Sequence, residues 1–409
     1  MRPRTLLGAA AAWLLGAALL SACTDRLPSA TPVAPEGGPR LTVTPTTPFV
    51  TFDAGENHAC ALTSAGQGWC WGRNSSGQLG DSTAAPTTVP VAVYHPTGVT
   101  FDQVSSGKIH NCALTSAGQA YCWGYNADGR LGDSTYFNPL MPVAVLPLGG
   151  VAFTSVSAGG AHTCGLDSSG NAYCWGSNAY GQVGDSTTTF QLTPVASRMP
   201  TGVTYSQIAA GDKHTCALGT SGQAYCWGYG GDGALGHNSL LGSRIPVAVQ
   251  QPAGVTFTSI ATEYNHSCGL TSGGQAYCWG YNFYGQLGDN TTTTPRKVPV
   301  AVQQPGGVTF SALTTGAQHT CAVTSGGQAY CWGYNTSGQV GDATTTSPRL
   351  TPVAVSQPAG VSFGLVADGS YHSCGLDGVG QAWCWGKNNF SQMGDGTIIN
   401  RSSPVAVSH

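Results

Sequence analysis

Charged side chains are scarce in this 409-residue chain, and their scarcity narrows the possible functions. Lys and Arg together number 15, Asp and Glu number 18, and the formal net charge is −3 at pH 7. Proteins that hold nucleic acid present a positive stripe to the phosphate backbone. With 8% charged residues and no basic stripe, the chain is expected to have no nucleic-acid partner.

Long apolar runs and helical periodicity are also missing, with one exception at the N-terminus. An apolar run from Leu6 to Leu20 follows two arginines and leads into Ser21-Ala22-Cys23, as in a secretory signal peptide. The residues Leu20 to Cys23 resemble the lipobox of bacterial lipoproteins, in which the cysteine is acylated and becomes the mature N-terminus. We therefore expect a signal peptide at 1–22 and an exported chain that is anchored to the cell envelope through lipid on Cys23. A plain secretory signal and a membrane anchor are the alternatives, and the run is short for a span.

Residues 23–48 are rich in Pro and Thr and carry no period, so we expect a solvated tether. Within it, Leu41 to Thr44 could extend as a strand. Thr24 rather than Asp follows the cysteine, which favours the outer membrane if the cell has two.

Residues 49–409 form one array of seven similar units, each marked by a Trp-Gly pair. The period is 52 residues four times and then 53 twice. Repeats of this length indicate units that stack on one another, because one unit alone cannot bury its apolar faces. The tryptophans and the aromatic residues two positions before them are expected to fill the space between units. The repeated tryptophans are Trp71, Trp123, Trp175, Trp227, Trp279, Trp332 and Trp385.

Four short segments in each unit have strand patterning, which predicts an all-β fold, a seven-bladed β-propeller with four short antiparallel strands per blade. The fourth segment reads Pro-Val-Ala-Val in six units and Pro-Val-Ala-Ser from Pro194 in the other. The last copy, Pro404 to Val407, follows the seventh hairpin, and the first hairpin has no copy before it. We therefore expect the C-terminal strand to close the ring by completing the blade that begins at Phe49, with Leu41 to Thr44 as its competitor.

Cysteines occur fifteen times, and all but Cys23 fall into pairs ten positions apart, one pair per unit. An even number in an exported chain indicates disulfides. The turn Ser116-Ala117-Gly118 suits a three-residue hairpin loop, and counting outward from Thr115 and Gln119 sets Cys112 opposite Cys122. In a non-hydrogen-bonded pair the Cα atoms lie about 4.5 Å apart, within reach of a disulfide. The expected disulfides join Cys60 with Cys70, Cys112 with Cys122, Cys164 with Cys174, Cys216 with Cys226, Cys268 with Cys278, Cys321 with Cys331 and Cys374 with Cys384.

A histidine stands two positions before the first cysteine of every pair. Each unit thus offers three potential zinc ligands, whereas structural zinc sites have four and usually closer cysteines. Seven blade-spaced histidines also cannot converge on one ion. We expect no metal and no cofactor, and each histidine is expected to bond backbone within its own blade. The histidines are His58, His110, His162, His214, His266, His319 and His372.

The unit G-x-x-H-x-C-A-L-T-S-x-G-Q-A-Y-C-W-G-x-N-x-x-G-Q-L-G-D resembles the repeat of the regulator of chromosome condensation family, over Phe49 to His409. The resemblance implies a seven-bladed propeller with about fifty residues per blade. Founding members are exchange factors for a nuclear small GTPase, an activity that does not suit an exported chain. A secreted propeller of the same repeat class inhibits β-lactamases through loops on one face, which implies a second possible function. The paired cysteines depart from the nuclear founder and occur in exported bacterial-type versions.

Candidate binding residues lie where the repeats differ, in the loops between the third and fourth strands. Exposed aromatic and apolar residues grouped on one face are typical of binding hot spots, and the alternative is that they pack onto the blades. The candidates are Tyr136, Phe137, Leu140, Tyr180, Phe190, Leu240, Leu241, Phe283, Tyr284, Phe390, Ile398 and Ile399.

Two single substitutions depart from the repeat. Glu263 replaces a glycine that the other six units keep, and His237 replaces an aspartate that six units keep. Both are candidate site residues. The six aspartates, of which Asp133 is one, are interpreted as turn residues, with calcium ligation as the alternative.

No acid, base and nucleophile stand outside the repeat as a catalytic set, so we expect no enzyme and no catalytic residues. The preferred hypothesis is a monomeric cell-envelope lipoprotein whose propeller binds a protein or glycan. The alternatives are an inhibitor of a secreted or periplasmic enzyme and, by fold analogy alone, a nucleotide exchange factor.

Overall fold

The computed structural model describes Pro45, residues 47–146 and residues 148–408 of the chain. The predicted signal peptide, Cys23, most of the tether and the competing strand Leu41 to Thr44 lie outside these residues. The described residues form seven antiparallel sheets of four strands each, which confirms the predicted β-propeller. Within these ranges the helical structure is a short 3-10 turn at Leu148–Gly150, and no helix is long and apolar enough to cross a membrane.

Strands follow one another within each blade in chain order. In blades one to three they are β1 Phe49–Ala54, β2 His58–Thr63, β3 Gly68–Gly72, β4 Thr87–Ala92, β5 Gln103–Ser106, β6 His110–Leu114, β7 Ala120–Gly124, β8 Val143–Ala144, β9 Phe153–Ala158, β10 His162–Asp167, β11 Ala172–Gly176 and β12 Gln191–Ala196. In blades four and five they are β13 Tyr205–Ala210, β14 His214–Gly219, β15 Ala224–Gly228, β16 Ser243–Ala248, β17 Ser259–Glu263, β18 His266–Leu270, β19 Ala276–Gly280 and β20 Arg296–Ala301. In blades six and seven they are β21 Ala312–Thr315, β22 His319–Val323, β23 Ala329–Gly333, β24 Arg349–Ala354, β25 Phe363–Asp368, β26 His372–Asp377, β27 Ala382–Gly386 and β28 Arg401–Ala406.

The first strands of the seven blades contact one another in a closed circuit and surround the propeller axis. In blades two to five, side chains of the preceding blade bond edge amides of the first strand. The Ser106 amide donates to the Asp53 carboxylate at 2.8 Å, and the Ala158 amide donates to the Ser105 hydroxyl at 3.0 Å. Satisfying these edge amides removes the exposed strand edge that promotes aggregation.

Apolar cores lie between neighbouring blades, as the aromatic pattern predicted. Leu62 and Leu79 of blade one pack with Phe101 and Trp123 of blade two, and all four are at most 2% exposed. The rings of Phe101 and Trp123 stack with centroids 6.2 Å apart. The Trp123 indole N–H donates to the Gln78 carbonyl of the preceding blade at 3.0 Å. Six of the seven tryptophans make this bond between blades, and Trp175 is the exception.

The predicted closure by a shared strand is wrong. Strand β28 pairs with β27 in the seventh blade, and the first blade is completed by its own β4. Each Pro-Val-Ala-Val segment belongs to the hairpin before it, so seven hairpins and seven such segments make seven complete blades with none left over. The ring closes through the same contacts that join other neighbours, including an N–H bond from Trp71 to the Gln392 carbonyl at 3.0 Å.

Hairpin geometry agrees with the count made from the sequence. Leu114 lies opposite Ala120 and Cys112 lies opposite Cys122. Gly118 ends the turn at a φ of 79°, a left-handed conformation that suits glycine.

All seven expected cysteine pairs are bonded, each with a Cα–Cα distance of 4.1 Å. Every bond stays within one hairpin and joins its two strands at directly opposed positions, so the pairing counted from the turn is confirmed in each blade. The bonds join Cys60 to Cys70, Cys112 to Cys122, Cys164 to Cys174, Cys216 to Cys226, Cys268 to Cys278, Cys321 to Cys331 and Cys374 to Cys384.

Candidate binding face and its axial mouth

Strand direction gathers two kinds of loop on one face of the propeller. In an antiparallel blade the turn between the first two strands and the loop between the last two lie at the same end. A backbone bond joins them in every blade; in the fifth, the Tyr281 amide donates to the Asn265 carbonyl at 2.9 Å. We call this end the long-loop face. The opposite end, with the short hairpin turns and the connections between blades, is the hairpin face.

Most candidate residues chosen from the sequence are exposed on the long-loop face. Phe137 is 80% exposed, Leu241 75% and Phe283 57%. Tyr284 differs, because it is partly buried against Tyr334 of the next blade, with ring centroids 4.8 Å apart. The remaining candidates, all exposed, are Tyr136, Leu140, Tyr180, Phe190, Leu240, Phe390, Ile398 and Ile399.

Four aromatic rings of blades five and six form one contiguous cluster, which we call the aromatic patch. Phe283 lies 5.0 Å from Tyr284 and 6.4 Å from Tyr281 between ring centroids, and Tyr284 contacts Tyr334. Sequence reasoning missed Tyr281 and Tyr334, which directly follow the Trp-Gly pair, a position where four of the seven units have tyrosine. Two of these contacts are edge-to-face and one is stacked, geometries that aromatic pairs prefer.

Cationic side chains lie over aromatic rings around the same face. Arg73 lies 5.1 Å from the Phe390 ring centroid, and Lys213 lies 5.5 Å from that of Tyr180. Lys387 covers Tyr371 at 5.0 Å. These contacts orient the exposed rings and leave polar groups beside them, which is the mixture that protein-binding surfaces present.

Glu263 lies at the axial end of β17, at the centre of the long-loop face. In the other blades this position is glycine, and a Cβ at Gly55 would clash with the Gly107 carbonyl oxygen of the next blade. Nearby, the Lys108 ammonium lies 3.5 Å from the Asp212 carboxylate and 5.4 Å from the Tyr264 ring centroid. Burial and the Asp212 charge raise the pKa of Glu263 to about 8, with Lys108 opposing them. We call Lys108, Asp212, Glu263 and Tyr264 the axial mouth.

The histidines do not bond backbone in their own blades, so that expectation is wrong. Six of them reach a side-chain oxygen of the next blade through Nε2. The Thr163 hydroxyl donates its proton to the Arg130 carbonyl at 2.8 Å and must therefore accept from the His110 Nε2–H. The six contacts are His58 to Asn111, His110 to Thr163, His162 to Thr215, His214 to Ser267, His266 to Thr320 and His319 to Ser373.

Burial hides these histidines from solvent, and in six of them it lowers the pKa and so disfavours the charged form. All seven are fully buried, and burial lowers the pKa of His162, His266 and His372 to about 3. The pKa of His58 and His214 falls to about 4 for the same reason. Six of the seven histidines therefore join neighbouring blades, and none of the seven is open to solvent.

The aspartate that follows the Gly-Gln-Leu-Gly segment is a turn residue. In the first blade, Asp81 accepts from the Asn74 amide at 3.0 Å and from the Thr83 amide at 3.1 Å. Where an arginine pairs with the equivalent aspartate, as Arg296 does with Asp289, the carboxylate already has a cationic partner. In blade four, Gly230 occupies the position of Asn74 and His237 occupies the position of Asp81. Blade four therefore lacks this Asn–Asp bond.

Profiles of known families match the chain almost throughout. Residues 22–309 match the RCC1-like domain. A profile of the regulator of chromosome condensation (RCC1) repeat matches residues 310–339 and 365–392. A second profile of the same repeat matches residues 326–376 and 379–409. The chain belongs to the regulator of chromosome condensation repeat family. The resemblance found in the sequence is thereby confirmed.

Curated relatives in this family differ widely in size. The chain is 29% identical over 357 residues to the ultraviolet-B receptor UVR8 of Arabidopsis thaliana, covering 87% of this chain and 81% of that one. It is 33% identical over 328 residues to the human E3 ubiquitin-protein ligase HERC2, covering 78% of this chain but 7% of that protein. The family's propeller therefore occurs both as most of a protein and as a small part of one.

Solved structures share the fold. Human WBSCR16 superposes with a TM-score of 0.75 at 22% identity, covering 84% of this chain and 94% of that one. Yeast RCC1, solved bound to Kap60, gives 0.74 at 20% identity and covers 89% and 86%. These structures support the propeller architecture, and the shared family supports a scaffold or binding role.

Proposed function

We propose that this protein is a non-catalytic binding protein of the cell envelope that holds a partner protein on its long-loop face. The aromatic patch carries the proposal, since its rings pack against one another while Phe283 is 57% exposed and the other three are only partly buried. Tyr-rich surfaces of this kind bind proteins with little loss of side-chain entropy. Among the relatives, yeast RCC1 is described with Kap60 bound and with binding properties to Gsp1p and histones, which supports a protein rather than a glycan as the partner class.

The test compares two faces of one molecule. Full-length protein, the double variant Phe283→Ala with Tyr284→Ala, and Val379→Ala are used as bait in an envelope extract, and captured proteins are identified by mass spectrometry. Val379 is a matched control because it is 77% exposed on a hairpin-face turn. We expect one or more captured proteins to be lost with the double variant and kept with Val379→Ala. Capture that is unchanged by the double variant, or carbohydrate binding without protein binding, would contradict the proposal.

The envelope location rests on the N-terminal sequence. A signal peptide at 1–22, lipid on Cys23 and a tether at 23–48 would hold the propeller of residues 49–409 at a membrane surface, and Thr24 favours the outer one. Replacing Cys23 by Ser is expected to move the protein from the membrane fraction to the soluble fraction. Membrane association that persists in this variant would rule out the lipid anchor.

Absence of catalysis is the second part of the proposal. The two residues that depart from the repeat lie in different elements, Glu263 at the end of β17 in the axial mouth and His237 in the loop between the third and fourth strands of blade four. His237 is accounted for by the missing Asn–Asp bond. Turnover of any substrate that disappears in Glu263→Gln would contradict a purely binding role.

A further inference from the structure

A buried carboxylate without a hydrogen-bond donor lies between blades six and seven. Asp368 ends β25, and its side chain is fully buried. Neither carboxylate oxygen has a hydrogen-bond partner. The same repeat position holds a small residue in the other blades, namely Ala54, Ser106, Ala158, Ala210, Thr262 and Thr315. A charge placed in the interior without donors is costly, so this aspartate calls for a functional reason.

Metal-ligating atoms converge on this carboxylate. The His319 Nε2 lies 3.4 Å from the Asp368 Oδ1 and 2.9 Å from the Ser373 hydroxyl, so a metal bound to this nitrogen would replace its hydrogen bond to Ser373. The donor atoms of His319, Cys321 and Asp368 all lie within 4.8 Å of one another, and no other such group occurs in the described ranges. Cys321 is bonded to Cys331, so the second sulfur is adjacent to the first.

Asp368 completes a ligand set that every other blade lacks. Each hairpin carries one histidine and two cysteines, one ligand short of the four that structural zinc sites use. We propose that, while Cys321 and Cys331 are still thiols, one Zn²⁺ binds between blades six and seven through His319, Cys321, Cys331 and Asp368. The set of two thiolates, one imidazole and one carboxylate matches the ligands that zinc accepts.

Metal and disulfide are alternative states of the same two sulfurs. Zinc binding deprotonates both thiols, forms two Zn–S bonds and releases two protons, with no change of oxidation state. Disulfide formation instead removes two electrons and two protons and passes them to an oxidant such as another disulfide. An exported chain carries thiols before it is oxidised, so zinc would hold this hairpin closed and delay its disulfide. The other six hairpins would oxidise without this competition.

The test is thiol protection in the full-length protein. The protein is reduced with a phosphine, with and without Zn²⁺, then alkylated and mapped by mass spectrometry, and circular dichroism records its fold. We expect Zn²⁺ to reduce alkylation of Cys321 and Cys331 at least tenfold and to leave the other twelve propeller cysteines unchanged. Equal alkylation of all seven hairpins with Zn²⁺ present, whether the reduced chain is folded or unfolded, would overturn the proposal.

Two variants distinguish a specific zinc site that includes Asp368 from nonspecific binding of Zn²⁺ by thiols. Asp368→Ala restores the residue found at Ala54 and is expected to abolish the protection of Cys321 and Cys331 from alkylation. The variant is also expected to lose the single equivalent of Co²⁺ that the reduced parent protein binds, which is measured by its thiolate charge-transfer absorption. Thr315→Asp places a carboxylate beside His266, Cys268 and Cys278, and is expected to raise Co²⁺ binding from one equivalent to two. Binding that is unchanged in both variants would show that the carboxylate takes no part.

Discussion

The seventh histidine lacks the partner that the other six have. His372 points to the first blade, where Ala59 occupies the position of Thr163 and its equivalents. Neither ring nitrogen of His372 has a hydrogen-bond partner, although the side chain is fully buried. A buried donor without an acceptor costs roughly 1–3 kcal/mol. The junction between the last and first blades therefore lacks the histidine hydrogen bond that the other six junctions have.

Ala59→Thr is expected to repair this junction. The new hydroxyl would accept from His372 Nε2–H as Thr163 accepts from His110, and the free energy of unfolding should rise by about 1 kcal/mol. Chemical denaturation measures the change. Ala59→Val is the matched control, since it adds the same volume without a hydroxyl, and equal effects of the two substitutions would contradict the assigned hydrogen bond.

Glu263 makes the free energy of unfolding fall as the pH rises, whereas a carboxylate with a lowered pKa makes it rise. Its folded-state pKa of about 8 lies above the ordinary value of 4.5. The folded state therefore holds the proton more tightly, and the stability from this group is present below pH 4.5 and is lost as the pH rises through 8.

Glu263→Gln removes that loss. We expect the variant to match the parent protein near pH 4 and to become progressively more stable than it between pH 4.5 and 8, in denaturation curves measured across that range. Asp102→Asn serves as a control, because Asp102 is exposed outside the axial mouth. A stability difference that does not change with pH would show that the Glu263 carboxyl is not shifted in the folded protein.

At the scale of the hairpin, local counting from the sequence was sufficient. The three-residue turn fixes which residues face each other, and Cys112 opposite Cys122 follows without any knowledge of the rest of the fold. Exposure of loop side chains could not be derived in this way. Tyr284 is covered by Tyr334, a residue of the next blade, so its burial depends on how blades pack and not on its own loop.

Disulfides stabilise each hairpin separately. Each closes a loop of about eleven residues, worth roughly 2–3 kcal/mol in the chain-entropy model. The double variant Cys112→Ala with Cys122→Ala should lower the free energy of unfolding by about that amount and leave the other six disulfides in place, as peptide mapping of the unreduced protein would show. A bond between hairpins, such as Cys70 to Cys112, would contradict the register.

At the scale of the molecule, the repeat period predicted seven blades but not where each blade begins. In a ring of similar units, the repeat pattern does not show where one blade ends and the next begins. The sequence alone therefore did not decide whether Pro-Val-Ala-Val joins the hairpin before it or the one after it. The pairing of Cys384 with Val405 assigns it to the hairpin before it. Closure then relies on contacts between complete blades, with Phe49, Trp71, Leu376 and Val407 buried together where the last blade meets the first.

Complete blades in chain order make the ring tolerant of a new starting point. The Phe49 amide bonds the Gly380 carbonyl as the Phe101 amide bonds that of Gly66, so the junction of the last and first blades has the geometry of an ordinary connection. A permuted propeller that joins Ser408 to Pro48 through the five residues found at 95–99 and opens between Ala253 and Gly254 should therefore fold. A Cβ at Gly254 would meet no atom within 4 Å, so chain ends there disturb no packing.

The permuted propeller tests the closure directly. We expect it to keep all seven disulfides and to unfold within about 2 kcal/mol of the parent protein, because the cut removes one short connection and the linker restores another. Peptide mapping and chemical denaturation measure both quantities. If the chain instead needed a segment before Pro48 to complete its first blade, the permuted protein, which lacks that segment, would expose the edge of that blade and aggregate or lose the bond between Cys60 and Cys70.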